Sequence, residues 1–227
     1  MKLEKLTGGR ERWYDDACGT AHALELVGER WSLLVMRELM FGARRFSELK
    51  RSLPGISANV LTQRLDGLER AGVLTRRTLP PPANVQVYEL TDWGYEAGPV
   101  IRALGRWAAR SPRHDPTLPL SPVSLMMSFQ TMFAAERARG VSVKLGFRLG
   151  PDRFEAAVAD GMLEVRRGEA EGADATVVGA PEAMAAHVYG GVPLGELEKA
   201  GALAVEGDRA SVARFASLFS LPPKAAG

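Results

Sequence analysis

The order of apolar and polar residues predicts a series of short helices in the first quarter of the chain. Segments 17–28, 29–42 and 44–55 each carry apolar residues three or four positions apart, and each ends in a glycine. That spacing places the apolar side chains on one face of a helix, and a glycine often ends one. Three helices, each with one buried face, are therefore expected.

A fourth helix is predicted to begin at Ser57, whose hydroxyl can cap the first turn, and to end near Gly72. Its apolar face carries the three leucines Leu61, Leu65 and Leu68. The opposite face carries short and mostly uncharged polar groups, namely Asn59, Thr62, Gln63 and Asp66. A face that meets only solvent more often carries Lys and Glu, so this face suggests a binding partner.

Two strands and a fifth helix follow. Alternating residues in 73–79 and 85–91 predict a hairpin around a run of three prolines, which belong in the loop because proline cannot donate a ladder hydrogen bond. Thr91 can cap a helix from 92 to about 110, which Pro99 is expected to kink. A short helix, a tight turn, a longer helix and a hairpin together are the order of a winged helix-turn-helix.

The second half of the chain has a different pattern. Residues 111–122 contain four prolines and little apolar periodicity, which indicates a linker or an ordered crossing segment. A Met- and Phe-rich helix is predicted over 123–138, and alternation in 141–149 predicts a half-buried strand. Further strands and helices continue to about residue 220. The expected fold class is α+β: a winged helix-turn-helix, then helices over an antiparallel sheet.

Composition narrows the functional classes. The chain has 227 residues, of which 46% are hydrophobic and 25% charged, as in an ordinary globular protein. One cysteine and three scattered histidines predict neither a disulfide framework nor a closed zinc site. No apolar run could cross a bilayer and no secretory signal is recognisable, so a cytoplasmic protein without a membrane partner is expected. No catalytic constellation or cofactor motif is recognisable either, so an enzyme is not expected.

Charge is distributed unevenly along the chain. The net charge is only +2, but segment 37–77 holds nine basic and four acidic residues. A basic surface around a polar helix face is typical of phosphate binding, although a solvated arginine-rich face would give the same count. Amide side chains can bond adenine in the major groove, whereas hydroxyls and free N–H groups of a first helical turn can hold phosphate. The predicted contacts to double-stranded DNA are Arg44, Arg45, Ser57, Ala58, Asn59, Thr62, Gln63, Arg64, Arg76, Arg77 and Asn84.

Six short blocks carry a resemblance to a known family. They are LELVGERWSLL at 24–34, RRFSEL at 44–49, LPGIS at 53–57, LTQRL at 61–65, LERAG at 68–72 and YELT at 88–91. Over about residues 13–109 the chain resembles the HxlR-type bacterial transcriptional regulators. The resemblance implies DNA binding through the fourth helix and the wing. It also implies a homodimer in which the terminal helices of the winged domain are swapped against each other.

The dimer interface is expected where apolar side chains exceed what one small domain can cover. Leu104 and Trp107 of the fifth helix are such groups, and Leu24 and Val27 of the first helix are their expected partners across the two-fold axis. A symmetric dimer of this kind would bind an inverted-repeat operator. The three wing prolines make the loop stiffer than the family pattern.

The C-terminal part resembles a second known fold. Over about residues 123–220, a strand, a Pro-led helix, a small-residue strand and an Asp-capped helix follow the order of the sterol-carrier-protein-like domains. That resemblance implies an apolar tunnel and a possible apolar small-molecule effector. The predicted lining is Met126, Met127, Phe129, Met132, Phe133, Phe147, Met184 and Phe219. Residue by residue, the alternative is that these side chains form an ordinary core.

These patterns lead to an expected organisation and two functional hypotheses. The expected parts are a tail at 1–12, a winged domain at 13–110, a linker at 111–122 and a C-terminal domain at 123–227. The first hypothesis is a homodimeric DNA-binding regulator. The alternative is a carrier of an apolar small molecule whose winged domain serves protein contacts. Cys18 is expected to be buried and structural, because nearby carboxylates disfavour a thiolate; the alternative is a sensor of oxidants or electrophiles, as in some members of the family that the chain resembles.

Overall fold

The computed structural model describes residues 14–226, so the predicted tail at 1–12 lies outside the described residues. The first part of this described range contains six helices and a hairpin. Their bounds are α1 Gly19–Val27, α2 Ser32–Leu39, α3 Phe46–Ser52, α4 Ala58–Arg70, β1 Leu74–Thr78, β2 Gln86–Leu90, α5 Asp92–Glu96 and α6 Gly98–Ala109. We refer to these elements as the winged part.

Local capping chemistry defines the ends of α4 as predicted. The Ser57 hydroxyl accepts a hydrogen bond from the Val60 N–H at 3.2 Å, which satisfies one of the free donors of the first turn. Gly72 follows the helix with φ 75°, a left-handed conformation that glycine adopts without strain. Between these ends, Leu61, Leu65 and Leu68 are at most 1% exposed. Burial of each such leucine stabilises the fold by roughly 1.5–3 kcal/mol.

The predicted fifth helix is divided into α5 and α6. The Thr91 hydroxyl caps α5 by accepting the Gly94 N–H at 3.1 Å, as expected. The chain leaves helical bonding at Ala97, and α6 restarts with Pro99 in its first turn. Pro99 explains this division, because it has no N–H that could continue the backbone hydrogen bonds of α5.

The second part of the described range, up to residue 226, contains four helices, a short 3₁₀ turn at Ala135–Ala138 and five strands. Their bounds are α7 Pro122–Met132, β3 Val143–Leu149, β4 Asp152–Ala159, β5 Met162–Arg167, β6 Ala175–Gly179, α8 Pro181–Gly190, α9 Leu194–Lys199, β7 Leu203–Gly207 and α10 Arg209–Ala216. We refer to these elements as the C-terminal part. The predicted helix over 123–138 is shorter than expected, because the chain becomes extended at Phe133. The short helix α9, which has no long apolar stripe, was not predicted.

The five strands of the C-terminal part form one sheet in the order β5-β4-β3-β6-β7. The expected antiparallel sheet is wrong at one pair, because β3 and β6 run parallel, with Leu145 opposite Ala175. Alternation along a strand identifies the face that is buried, but it does not identify the neighbouring strand or its direction. The pairing direction therefore could not be read from the pattern.

Helix α7 is covered on two sides. Its side chains Met126 and Phe129 are fully buried in the core between the sheet and α10. Met40, Phe41 and Ile101 of the winged part pack against the same core from the other side. The winged part thus supplies the second apolar surface that this Met-rich helix requires.

Candidate nucleic-acid interface

The polar face of α4 is exposed along its length. Asn59, Thr62 and Gln63 are all solvent-exposed and occupy positions i, i+3 and i+4, so their side chains lie together on the helix surface. We call these three residues the outer face of α4. The leucines on the opposite side anchor the helix against α2 and β1, and packing therefore holds the outer face toward solvent.

The N-terminal end of α4 is also accessible. Ser57 and Ala58 are exposed, and the Pro-Gly turn that precedes them is exposed as well. The Ser57 hydroxyl is engaged in capping, but its capping bond satisfies only one of the four N–H groups that have no partner within the helix. The positive end of the helix dipole and its free donors suit a phosphate oxygen.

The adjacent residues Arg44 and Arg45 have opposite environments. Arg45 is exposed, and its guanidinium has no ion pair with any described residue. Arg44 is only 3% exposed and donates to Asp152 of the C-terminal part at 3.0 Å. Its backbone also pairs with Tyr88 of β2, which holds the side chain on the inward side of the chain. This position of Arg44 does not suit a phosphate contact.

The hairpin of β1 and β2 with its loop, which we call the wing, is tied to α4 by charged pairs. Arg76 donates to Asp66 at 2.7 Å and to Glu69 at 2.8 Å, both on α4. The hydrogen bond to Asp66 raises the pKa of Arg76 above its ordinary value. Arg77 is paired with Glu89 on the neighbouring strand at 2.6 Å. Asn84 is exposed at the tip of the loop, where it adopts φ 41°.

Arg64 is the remaining predicted contact on α4. It is half-buried and pairs with Glu29 at 2.8 Å, which directs it toward the connection between α1 and α2. Sequence reasoning did not single out Lys50 and Arg51 in the last turn of α3, where neither makes an ion pair with a described residue. The high basic count of segment 37–77 was the signal that could have found them.

Comparison with known proteins identifies the family. A family model described as HxlR-like helix-turn-helix matches residues 26–115. The HTH-type transcriptional regulator YvaP of Bacillus subtilis is 37% identical over 87 residues, which are 38% of this chain and 80% of YvaP. The chain belongs to the HxlR-like helix-turn-helix family.

Two further matches cover a similar share of the chain. The HTH-type transcriptional regulator YtfH of Escherichia coli is 35% identical over 95 residues, covering 41% of this chain and 75% of YtfH. The structure of the reduced form of the transcriptional regulator YodB from B. subtilis is 32% identical, covers 43% of this chain and 98% of that one, and has a TM-score of 0.39. The chain spans 64% and 53% of the length of two other relatives.

The predicted dimer residues of this HxlR family member lie mostly on the surface. Leu104 and Trp107 of α6 are 45% and 72% exposed, and Leu24 of α1 is 45% exposed. Val27 is half-buried. Val100, which was not predicted, is 65% exposed and continues the stripe of Leu104 and Trp107 one turn earlier on α6.

The predicted ligand residues lie inside the C-terminal core. Seven of the eight are at most 5% exposed, and Phe133 is half-buried. Several pack directly on one another, since the ring of Phe129 lies 5.8 Å from that of Phe147 and 4.9 Å from that of Phe219. The structure therefore brings these side chains together as neighbours in a packed interior.

Cys18 differs from the expectation. It is fully exposed at the N-terminal end of α1, so the prediction of a buried cysteine is wrong. Hydrogen bonds from the backbone and side chain of Thr20 and from the backbone of Ala21 lower the pKa of the thiol below its ordinary value. The N–H groups at the start of α1 thus favour the thiolate, whereas the sequence pattern drew attention to the nearby carboxylates.

The described residues were also compared with the requirements of a metal site and of a membrane-spanning helix. Within residues 14–226, no group of three His, Cys, Asp or Glu side chains is arranged to hold a metal ion. No helix in the same range is long and apolar enough to cross a membrane.

Proposed function

We propose that this protein is a cytoplasmic transcriptional regulator that binds an inverted-repeat DNA operator as a homodimer. The observation that supports this proposal is the outer face of α4. Three uncharged polar side chains are held outward there by buried leucines on the opposite side, next to a basic segment. The major groove admits one helix, and amide and hydroxyl groups can bond base edges in it.

Base reading is assigned to the outer face of α4. Asn59 and Gln63 lie four residues apart, so both amides can reach successive base pairs along one groove. Each can bond adenine through two hydrogen bonds, whereas Thr62 can bond a base edge or contact a thymine methyl group. These contacts would distinguish the operator from other DNA.

Phosphate contacts are assigned to groups around α4 and on the wing. Arg45 is free to reach the backbone, and Ser57 and Ala58 present the start of α4. Arg77 and Asn84 lie on the wing, where the exposed pair between Arg77 and Glu89 costs little to break, because such pairs contribute about 0–1 kcal/mol. Arg76 is assigned a positioning role, because it ties the wing to α4.

Assembly is assigned to the exposed apolar groups of α1 and α6. A stripe of Val100, Leu104 and Trp107 on one helix is unusual on the surface of a monomer. Pairing it with Leu24 and Val27 of a second copy would remove these groups from water. The two copies of α4, the proposed recognition helix, would then read half-sites about one helical turn, ~34 Å, apart or a multiple of that.

The C-terminal part is assigned a sterol-carrier-protein-like fold. The Pro-led helix α8 between β6 and β7, and the closing helix α10 capped by Asp208, support this assignment. An apolar effector at Met126, Phe129 and their neighbours would require these packed side chains to separate. The close packing of this core favours a structural role, in which the C-terminal part supports α2 and α6.

The test is a selection of binding sites from random double-stranded DNA, followed by anisotropy titrations of the selected site. Gln63→Ala is expected to weaken that site by about 1–3 kcal/mol and to leave binding to unrelated DNA nearly unchanged. Gln130→Ala on α7 is the matched control and is expected to change neither. Failure to enrich any sequence, or an equal loss on both DNAs in Gln63→Ala, would contradict base reading by α4.

A further inference from the structure

A cleft of about 700 Å³ lies between the winged part and the C-terminal part. On one side it is lined by the start of α2 and by the turn that joins α3 to α4. On the other side it is lined by residues 119–122, by the turn between β3 and β4, and by the junction of β6 with α8. This volume lies within the range of small-molecule sites, about 300–1,000 Å³.

We propose that this cleft binds a small carboxylate with an aromatic or aliphatic body. The walls are largely apolar and include Trp31, Leu34, Leu53, Leu120 and Pro151. Such walls suit the body of the ligand, because they remove apolar surface from water.

Three of the four charged side chains that line the cleft already have a partner. Of its two carboxylates, Asp152 is held between Arg44 and Arg167, and Glu182 accepts the Leu120 N–H at 2.9 Å. Of its two arginines, Arg37 is paired with Glu38 at 2.7 Å.

Arg51 is the cation left to bind a ligand. It is exposed and makes no ion pair or hydrogen bond within the described part of the chain. Helix α8 also begins at the cleft, with Pro181, but the carboxylate of Glu182 lies in its first turn and offsets its positive end, so Arg51 carries the recognition of the anion. A guanidinium presents parallel donors that match a carboxylate, which makes it the anchoring group of the site.

Trp31 connects the cleft to the recognition helix. It adopts φ 82° at the start of α2, a left-handed conformation that is rare for a bulky side chain and that often accompanies functional sites. The far edge of its indole lies 3.8 Å from the position that a Cβ would take on Gly55. Gly55 lies in the turn directly before α4. A ligand that contacts Trp31 and Leu53 would therefore contact the support of the recognition helix.

The coupling to DNA rests on the proposed function, whereas binding in the cleft does not. If the ligand favours one arrangement of this turn, DNA and ligand must change each other's affinity by the same factor. The site would thus act as an effector site that is separate from the packed core of the C-terminal part.

The experiment is a calorimetric titration of the 227-residue protein with 1-naphthoate and with the uncharged 1-naphthamide. Naphthoate is expected to bind at least tenfold more tightly than the amide, because only the acid can pair with Arg51. Arg51→Ala should weaken naphthoate binding about tenfold. Arg139→Ala, which removes another exposed and unpaired arginine outside the cleft, should leave it unchanged. Absence of naphthoate binding, or equal binding to both variants, would overturn the site.

Two further measurements separate the parts of the proposal. Naphthoate should quench tryptophan fluorescence in the parent protein and much less in Trp31→Phe, provided that the variant melts at a similar temperature; equal quenching would overturn contact with Trp31. Naphthoate should also shift the affinity for the selected DNA site. Binding that leaves DNA affinity unchanged would overturn the coupling. Failure to select any DNA would instead contradict the proposed function and leave the calorimetric result standing.

Discussion

Replacement of Asp152 by asparagine is expected to destabilise the protein strongly. Asp152 begins β4, and its side chain is 9% exposed. One of its oxygens accepts from Arg44 of the winged part at 3.0 Å and also from Arg167 at the end of β5. Arg167 donates in addition to the Phe41 carbonyl at 3.1 Å. A single carboxylate therefore joins two arginines at the boundary between the two parts.

The charges around Asp152 explain why its replacement should lower the stability of the fold. Burial, followed by repulsion from Arg44, lowers the pKa of Arg167 below its ordinary value. Asp152 offsets this repulsion, so a neutral residue in its place would leave two like charges facing each other, with the half-buried Glu48, 3.7 Å from Arg44, as their remaining carboxylate neighbour. Because Arg44 is only 3% exposed, water cannot replace the missing carboxylate.

The magnitude follows from the geometry. At 3.0 Å and an effective dielectric constant of about 20, the attraction between Asp152 and Arg44 is about 5.5 kcal/mol, and desolvation of both groups offsets much of it. Removing one partner of a buried pair costs about 3–5 kcal/mol, because the other charge remains buried. The asparagine oxygen can still accept one hydrogen bond. We therefore expect a loss of about 3 kcal/mol in the free energy of unfolding.

The assay is urea and thermal unfolding followed by circular dichroism. In a chain of this size, a loss of about 3 kcal/mol corresponds to a melting temperature lower by roughly 6–12 °C. Glu169→Gln is the matched control: it removes a carboxylate that also faces two arginines, Arg148 and Arg153, but is 67% exposed. That change should cost less than about 1 kcal/mol. Equal effects of the two substitutions would refute a buried ionic connection between the two parts.

Three further outcomes are expected. Leu104→Asp should convert dimers to monomers in sedimentation velocity, because it places a charge in the proposed apolar interface; a variant that stays dimeric would move the interface elsewhere. Arg45→Ala should reduce the slope of log affinity against log salt by about 1, and an unchanged slope would remove Arg45 from the DNA contacts. Thr91→Ala should lower stability by about 0.5–2 kcal/mol, because its hydroxyl caps α5 and donates to the Gly72 carbonyl at 2.8 Å. Thr91→Ser should restore most of that loss in the same unfolding assay, and no restoration would show that the hydroxyl is not responsible.

Features that depend on neighbours along the chain were predictable from the sequence. The leucine spacing of α4, its Ser57 cap and the terminal glycine are local, because a helix closes its bonds within four residues. The break before Pro99 is local for the same reason. When the bounds of α4 are predicted correctly, the residues of its outer face are predicted as well, because successive residues of a helix are rotated by a fixed angle about its axis. The family resemblance of the winged part depends on these same short blocks.

Features that depend on contacts between distant segments required the tertiary structure. Nothing in the sequence distinguishes Arg44 from Arg45, yet one is buried against Asp152, 108 residues away, and the other is exposed. The parallel pairing of β3 with β6 and the covering of α7 by the winged part are of the same kind. The cleft at Arg51 exists only where the two parts meet. A residue pattern specifies which side chains avoid water, whereas the surface that covers them is determined by how the whole chain packs.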